Sequence, residues 1–170
     1  MIFLGIGSNL SSTHGNRFQN LELAISELKK HKIKVINQSS FYETLSYPDV
    51  KKPKFINIVI EVEANLDPPE LASIIFFVEK FIERKRHKKN DPRTCDIDII
   101  DFNNKIFDFK YKNLNFFLPH KQAAYRNFVL YPLREISPNW KHPITKEIVT
   151  DLIFKLKDDE KKSILKIDKY

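Results

Sequence analysis

Residues 55–64, Phe-Ile-Asn-Ile-Val-Ile-Glu-Val-Glu-Ala, constrain this chain more than any other stretch. Side chains on a strand alternate between its two faces. Ile56, Ile58, Ile60 and Val62 therefore form an unbroken apolar face that has to be buried. Phe55, Asn57, Val59 and Glu61 form the other. That second face begins with an aromatic ring and a carboxamide, a pair able to stack on and hydrogen-bond a flat heterocycle. From this strand alone, a strand-end ring beside a solvated Asn is the simpler account.

A second stretch carries the chemistry. Residues 90–100, Asn-Asp-Pro-Arg-Thr-Cys-Asp-Ile-Asp-Ile-Ile, begin as a polar loop and end as a strand. Asp96 and Asp98 share a face, with Ile97 and Ile99 turned towards a core. Two carboxylates one strand step apart repel unless positive charge lies between them. Mg²⁺ fits, because it binds through one or two carboxylates plus substrate phosphates. Arg93 lies just upstream, where a guanidinium can grip a phosphate oxygen. Taken alone, Asp-x-Asp is also what a solvated strand end with a loose Arg–Asp pair looks like.

At 170 residues the chain is expected to form one domain, residues 1–170. With 42% apolar and 30% charged residues it reads as a soluble globular protein. No apolar run is long enough to span a bilayer, and no signal-like segment opens the chain. The single Cys95 excludes an internal disulfide and fits a reducing cytoplasm. It is expected to be a small buried apolar residue and not a nucleophile. A net charge of +7 favours an anionic partner: a nucleotide, a nucleic acid or a membrane surface. Gly5, Gly7 and Gly15 are the only glycines, and two of them sit in Gly5-Ile-Gly7-Ser8-Asn9-Leu10, where the backbone is expected to turn tightly or pack closely. A dinucleotide fingerprint fails there, since its third glycine falls at Leu10, and no phosphate-binding Gly-x-x-x-x-Gly-Lys loop exists. A phosphate-handling protein built this way must use Arg, Lys and metal in place of a glycine cradle.

The remaining periodicities predict a strand over residues 2–6, an amphipathic helix over 17–30 and a strand over 33–44. Residues 45–54, with Pro48, Pro53 and three lysines, read as a loop or mobile flap. Asp67-Pro68-Pro69-Glu70 is a helix start with a capping box, followed by Leu71, Ile74, Ile75, Val78 and Ile82 as the buried stripe. The helix runs into a basic cluster at 84–89. Asn103-Asn104 suits a tight hairpin. Phe116-Phe117-Leu118-Pro119-His120 is a short apolar segment, residues 129–133 a short helix, and 148–156 a further helix; the Lys-rich residues 157–170 read as a peripheral tail. This order suggests an α+β, ferredoxin-like fold. One sheet face would be covered by helices. The other, carrying Phe55, Asn57, Asp96 and Asp98, would be left for ligands.

With these residues in place the chain resembles the 6-hydroxymethyl-7,8-dihydropterin pyrophosphokinase family. The resemblance runs from Gly5-Ile-Gly7-Ser8-Asn9-Leu10 through Ser39-Ser40-Phe41-Tyr42-Glu43-Thr44, Phe55-Ile56-Asn57, Pro92-Arg93-Thr94-Cys95-Asp96-Ile97-Asp98 and Leu118-Pro119-His120 to Arg126-Asn127-Phe128. It implies a three-layer αβα fold with a mainly antiparallel sheet, acting as a monomer. It implies transfer of pyrophosphate from ATP to the pterin hydroxymethyl group, in folate biosynthesis, with AMP as the second product. By matched position Asp96 and Asp98 would hold two Mg²⁺ ions and, with Arg84 and Arg93, form the catalytic set. Thr44, Phe55, Asn57 and Phe128 would form the pterin pocket, with the two rings sandwiching the pterin. Glu79, Arg84, Arg86, Arg93, His120 and Arg126 would line the nucleotide. Residues 45–54 and 85–91 would be flaps over the substrates. The chain departs from the family at Asn90 and Asp91, where an aromatic and a Gly or Ala are common, at Lys121, and at Phe76, which replaces a polar residue near the nucleotide. Two rival readings remain: an RNA-binding module on the same kind of sheet, and a homologue that binds without catalysing. The first lacks its usual glycine-containing aromatic motif, since no glycine follows Gly15.

Overall fold

In the computed structural model the described residues are 1–85 and 91–169. The fold is organised by β4 (Phe55–Glu63), which lies in the middle of an antiparallel sheet. On one side it pairs with β1 (Ile2–Ser8), and β1 pairs with β5 (Asp96–Phe102). On the other side it pairs with β2 (Lys34–Gln38) and β3 (Phe41–Thr44) in turn. The strand expected over residues 33–44 is thus two strands. Ser39 causes the break: its N–H bonds Val59 O, while its Oγ accepts the N–H of Val59, so a side chain interrupts the ladder.

Both predicted helices are present, and each opens on a capping box, which the sequence reading expected only for the second. Asn16 and Gln19 open α1 (Arg17–Lys30), and Asp67 and Glu70 open α2 (Pro68–Phe81). The two helices cover one face of the sheet. Ile56, Ile58, Ile60 and Val62 meet Leu21, Leu28, Leu71, Ile75 and Val78 there, and Ile97 and Ile99 of β5 join them. Each of these fully buried side chains contributes roughly 1.5–3 kcal/mol relative to exposure.

The expectation that the opposite face is simply open needs correction. α3 (Asn127–Ile136) and α4 (Val149–Lys155) form a third layer over half of it, burying Phe3, Val59 and Ile100 beneath Leu130, Leu133, Trp140 and Leu152. The sheet is therefore sandwiched, as the family resemblance implied, and only the strand ends beyond Val59 stay uncovered. A register shift between Phe3 and Leu4 where β1 meets β5 brings both Ile100 and Asp101 to this face, and buried Asp101 accepts a 2.8 Å bond from Trp140 Nε1.

Two elements escaped the sequence reading. β6 (Phe107–Tyr111) and β7 (Leu114–Leu118) form a separate hairpin turned at Lys112 and Asn113, both with left-handed φ. It docks on α2 through Tyr111 Oη–Ser73 Oγ at 2.8 Å and the ring of Phe76 against Tyr111 and Phe116. The tail expected at 157–170 is also corrected. α5 (Asp158–Lys162) leads into β8 (Ile164–Ile167), which pairs with β3 and becomes an edge of the main sheet. Four residues flanked by lysines carry too short an alternation to stand out, yet Ile164 is buried and Lys166 reaches Glu135 at 3.1 Å.

Candidate functional site

The uncovered half of the second face is laid out by register. Across the sheet, Thr44 stands opposite Phe55, Asn57 opposite Gly7, Gly7 opposite Asp96, and Gly5 opposite Asp98. The glycines do not turn the chain; both lie within β1. What they supply is space. A Cβ on Gly7 would come within 2.9 Å of Asn57 Oδ1 and 3.5 Å of the Phe55 ring. Asn57 is buried, not solvated, and its Nδ2 donates to Thr44 Oγ1 at 3.0 Å. Three of the four expected pterin residues thus form one patch beside a side-chain-free strip. Phe128, at the start of α3, is half-buried against the second core, with the Arg126 guanidinium over its ring at 5.4 Å.

Next to that strip three guanidinium groups converge on the two carboxylates. Arg84 pairs with Asp96, Arg93 Nε lies 2.8 Å from Asp96 Oδ2 as an ion pair without a linear hydrogen bond, and Arg126 lies 3.4 Å from Asp98. The Arg93 guanidinium also stands over Phe55 at 5.0 Å, so this one side chain joins the carboxylates to the aromatic patch. Burial alone would lower the pKa of Arg84, but Asp96, Glu79 and Asp98 more than offset it, and the pKa is raised. His120 shifts the other way: burial lowers its pKa, against the pull of Asp98, and its Nδ1 accepts the Gln122 N–H at 3.2 Å, so the ring is neutral at pH 7.

Glu79 was expected to line the nucleotide. It is 2% exposed and reaches the site from behind: its Oε1 accepts the N–H of Ile97 at 2.9 Å, between the two aspartates, and pairs with Arg84. The helix on which it lies packs beneath the sheet, which is why it supports the aspartates instead of facing a ligand. Arg86 and Asn90 lie outside the described residues, as does most of the expected 85–91 flap. At its described end Asp91 pairs with Lys52 at 3.7 Å, linking it to the other expected flap, residues 45–54.

From the carboxylates a cavity of about 490 Å³ runs outwards. Arg84, Arg93, Asp96, Asp98, His120 and Arg126 line one end; Phe76, Leu114, Phe116 and Phe117 give it apolar wall elsewhere. The hairpin part of this lining was missed in the sequence, although Phe107, Phe109 and Tyr111 carry the alternation that announces it. The donor set fits Mg²⁺. Two carboxylates lie at successive outward positions of one strand, with Gly7 placing no side chain beside them. Among the described residues no cluster of three His, Cys or acidic side chains is present, so phosphate oxygens would have to complete the coordination.

Fold and site together define an αβα protein whose open sheet end gathers three guanidinium groups around paired carboxylates. The sequence model of the family described as 7,8-dihydro-6-hydroxymethylpterin-pyrophosphokinase (HPPK) matches residues 3–138, and the chain belongs to that family. It is 34% identical over 151 residues to the 2-amino-4-hydroxy-6-hydroxymethyldihydropteridine pyrophosphokinase of Synechocystis, covering 88% of this chain and 73% of that protein. The enzyme of the same name from Aquifex aeolicus is also 34% identical, with 84% of each chain covered. The folic acid synthesis protein fol1 of Pneumocystis carinii is 30% identical over 96% of this chain, which spans only 21% of that longer protein. Among solved structures, a Plasmodium falciparum HPPK-DHPS with pterin and p-hydroxybenzoate superposes with a TM-score of 0.78 at 16% identity, over 98% of this chain and 47% of that one. That likeness concerns the fold. The third layer also weakens the RNA-binding alternative, which needs an open aromatic sheet face; here α3 and α4 cover half of it. Among the described residues no helix is long and apolar enough to cross a membrane.

Proposed function

We propose that this chain transfers pyrophosphate from ATP to the hydroxymethyl group of 6-hydroxymethyl-7,8-dihydropterin, releasing AMP, as a single monomeric domain working in the cytoplasm. The observation that carries the reading is the adjacency of two environments across Gly7: a buried carboxamide with an aromatic ring on one side, and two carboxylates under three guanidinium groups on the other. The first suits a flat heterocycle with hydrogen-bonding edges. The second suits a polyphosphate. We place Thr44, Phe55, Asn57 and Phe128 around the pterin, Arg84, Arg93, His120 and Arg126 along the nucleotide, and two Mg²⁺ ions on Asp96 and Asp98.

In this reaction the pterin hydroxyl oxygen forms a bond to the β-phosphorus, the bond from that phosphorus to the α,β-bridging oxygen breaks with the oxygen and its electron pair leaving on AMP, and the hydroxyl proton passes to solvent. When bound, Mg²⁺ supplies charge neutralisation of the phosphates and a template for in-line geometry. The transition state is loose, so the protein's work is alignment and charge compensation. Asn57 and Thr44, already bonded to each other, fix the heterocycle without having to reorganise. Arg84, held by buried Glu79, and Arg93, held over Phe55, keep positive charge at fixed points along the path of the transferring group. Neutral His120 adds a hydrogen-bonding group without further positive charge.

The test is AMP release from MgATP with and without the pterin, with Asp96→Ala alongside. Pterin-dependent AMP that disappears in the variant is the expected result. Pterin binding with no AMP formed would leave a binding protein and overturn the catalytic reading.

A further inference from the structure

Asn9, just beyond the end of β1, is 2% exposed, and the site described above makes no direct use of it. Every polar atom of its carboxamide is engaged, and the partners come from two different parts of the site. Its Nδ2 donates to Pro53 O at 3.0 Å and to Ser46 Oγ at 3.3 Å. Ser46 Oγ in turn donates to Pro53 O at 2.5 Å, so these groups close the neck of the 45–54 loop. That loop leaves the sheet at Thr44 and returns at Phe55, both in the aromatic patch. On its other side Asn9 Oδ1 accepts the N–H of Arg93 at 2.7 Å, while the N–H groups of Asn9 and Leu10 donate to Arg93 O at 3.0 and 3.2 Å. The backbone of Arg93 is thereby clamped from both ends, and its side chain spans Phe55 and Asp96.

We infer that Asn9 is a positioning residue that couples occupancy of the aromatic patch to the placement of Arg93 on the phosphate side. This rests on the proposed reaction, in which those two places hold the pterin and the nucleotide. A buried carboxamide with all its bonds made has one orientation, and a shift at the loop neck cannot be absorbed without breaking a bond to Arg93 or leaving a buried group unpaired. Movement of the neck as a ligand settles between Thr44 and Phe55 is therefore carried to the Arg93 peptide. The same bonds carry it in reverse, since coupling between two binding sites is reciprocal.

Asn9→Asp isolates the coupling from the fold. It keeps the acceptor facing the Arg93 N–H and replaces the donor at the loop neck with an oxygen facing Pro53 O. Ser46→Ala removes one hydroxyl and leaves the Asn9–Pro53 bond. The measurements are kcat and each KM for AMP formation, and calorimetric affinity for the pterin with and without the unreactive α,β-methylene analogue of MgATP. In the unaltered protein each ligand is expected to tighten the other about tenfold, within the usual range for coupled sites. In Asn9→Asp that factor is expected to fall towards one and kcat to drop about thirtyfold, the scale of a small misplacement of a reacting group, while each ligand alone binds within about threefold of normal. Ser46→Ala should move both quantities in the same direction by a few-fold.

A role in the fold alone would lower the melting temperature and leave the coupling factor and the kcat of folded protein untouched; that result overturns the inference. So does an unaltered protein that turns over but shows no coupling. If Asn9→Asp does not fold, Ser46→Ala decides, and unchanged coupling there counts against it. An unaltered protein that binds neither ligand would overturn the proposed reaction and this inference with it.

Discussion

The two faces of the main sheet are made by the same strands and have opposite fates. On one, Ile2, Leu4 and Ile6 of β1, Ile58 and Ile60 of β4, and Ile97 and Ile99 of β5 form a continuous apolar surface that α1 and α2 close. On the other, Phe3, Val59 and Ile100 are closed by α3 and α4, but the next residues along the same strands are Gly5, Gly7, Asn57, Asp98 and Asp96. No helix can bury carboxylates cheaply, and a glycine gives it nothing to grip. The α3–α4 layer stops where the apolar residues stop. The comparison teaches that the site is a defect in packing written into one face of three strands, backed by a complete core on the other face.

The sharpest way to break the comparison is to remove charge from the open half. Asp98 is more than a third exposed and its neighbours are cations and a like charge, so Asp98→Ala should cost kcat on the order of a thousandfold or more while leaving the melting temperature nearly unchanged. Near-normal turnover would sink the assignment of the aspartates. The closed face should behave in the opposite way. Ile58→Ala removes a side chain that is 1% exposed and is expected to cost about 3 kcal/mol in urea unfolding, with kcat per folded molecule preserved. A smaller effect is expected at the strip between the two environments. Gly7→Ala places a methyl 2.9 Å from Asn57 Oδ1 and should raise the pterin KM about tenfold, or roughly 1.4 kcal/mol, with little change in the KM for ATP.

The smallest effect concerns pH and the covered half. His142 is buried beside Trp140, and its Nδ1 accepts N–H bonds from Ile144 and Thr145 at 3.3 and 3.2 Å. Burial lowers its pKa in the folded state, against the pull of Asp101 and Glu147. Below the ordinary value near 6.5 the unfolded chain binds a proton that the folded one does not, so this contribution is present above that value and is lost as pH falls towards the folded pKa. Melting temperature should therefore decline more steeply from pH 7 to pH 5 in the unaltered protein than in His142→Asn. Parallel profiles would show that the ring does not titrate in this way.

Much of this was legible because it depends on neighbours in sequence. The capping box at Asp67 is a local hydrogen-bonding pattern. The alternation in β4 and β5 fixed which side chains share a face, and so put Asp96 with Asp98 and Phe55 with Asn57 before any fold was known. The Asn103-Asn104 turn needed only the tolerance of Asn for left-handed backbone, seen in φ values of 56° and 55°. The β6–β7 hairpin was equally local, since Phe107, Phe109 and Tyr111 alternate with the exposed Asp108 and Lys110.

What the sequence by itself determined, then, were the principal helices and the sidedness of the central strands β4 and β5. Periodicity and capping act over a few residues and leave a mark in the order of the chain. Tertiary structure alone decided the rest. It paired Gly7 with both Asn57 and Asp96, set Glu79 behind the aspartates instead of in the cavity, split the 33–44 strand at Ser39, and recruited Ile164–Ile167 as an edge strand. It also brought Asn9, Pro53 and Arg93 into one hydrogen-bonded cluster. These are contacts between residues tens of positions apart, fixed by strand register and by the need of buried polar groups to find partners, and neither requirement is visible in a run of neighbouring residues.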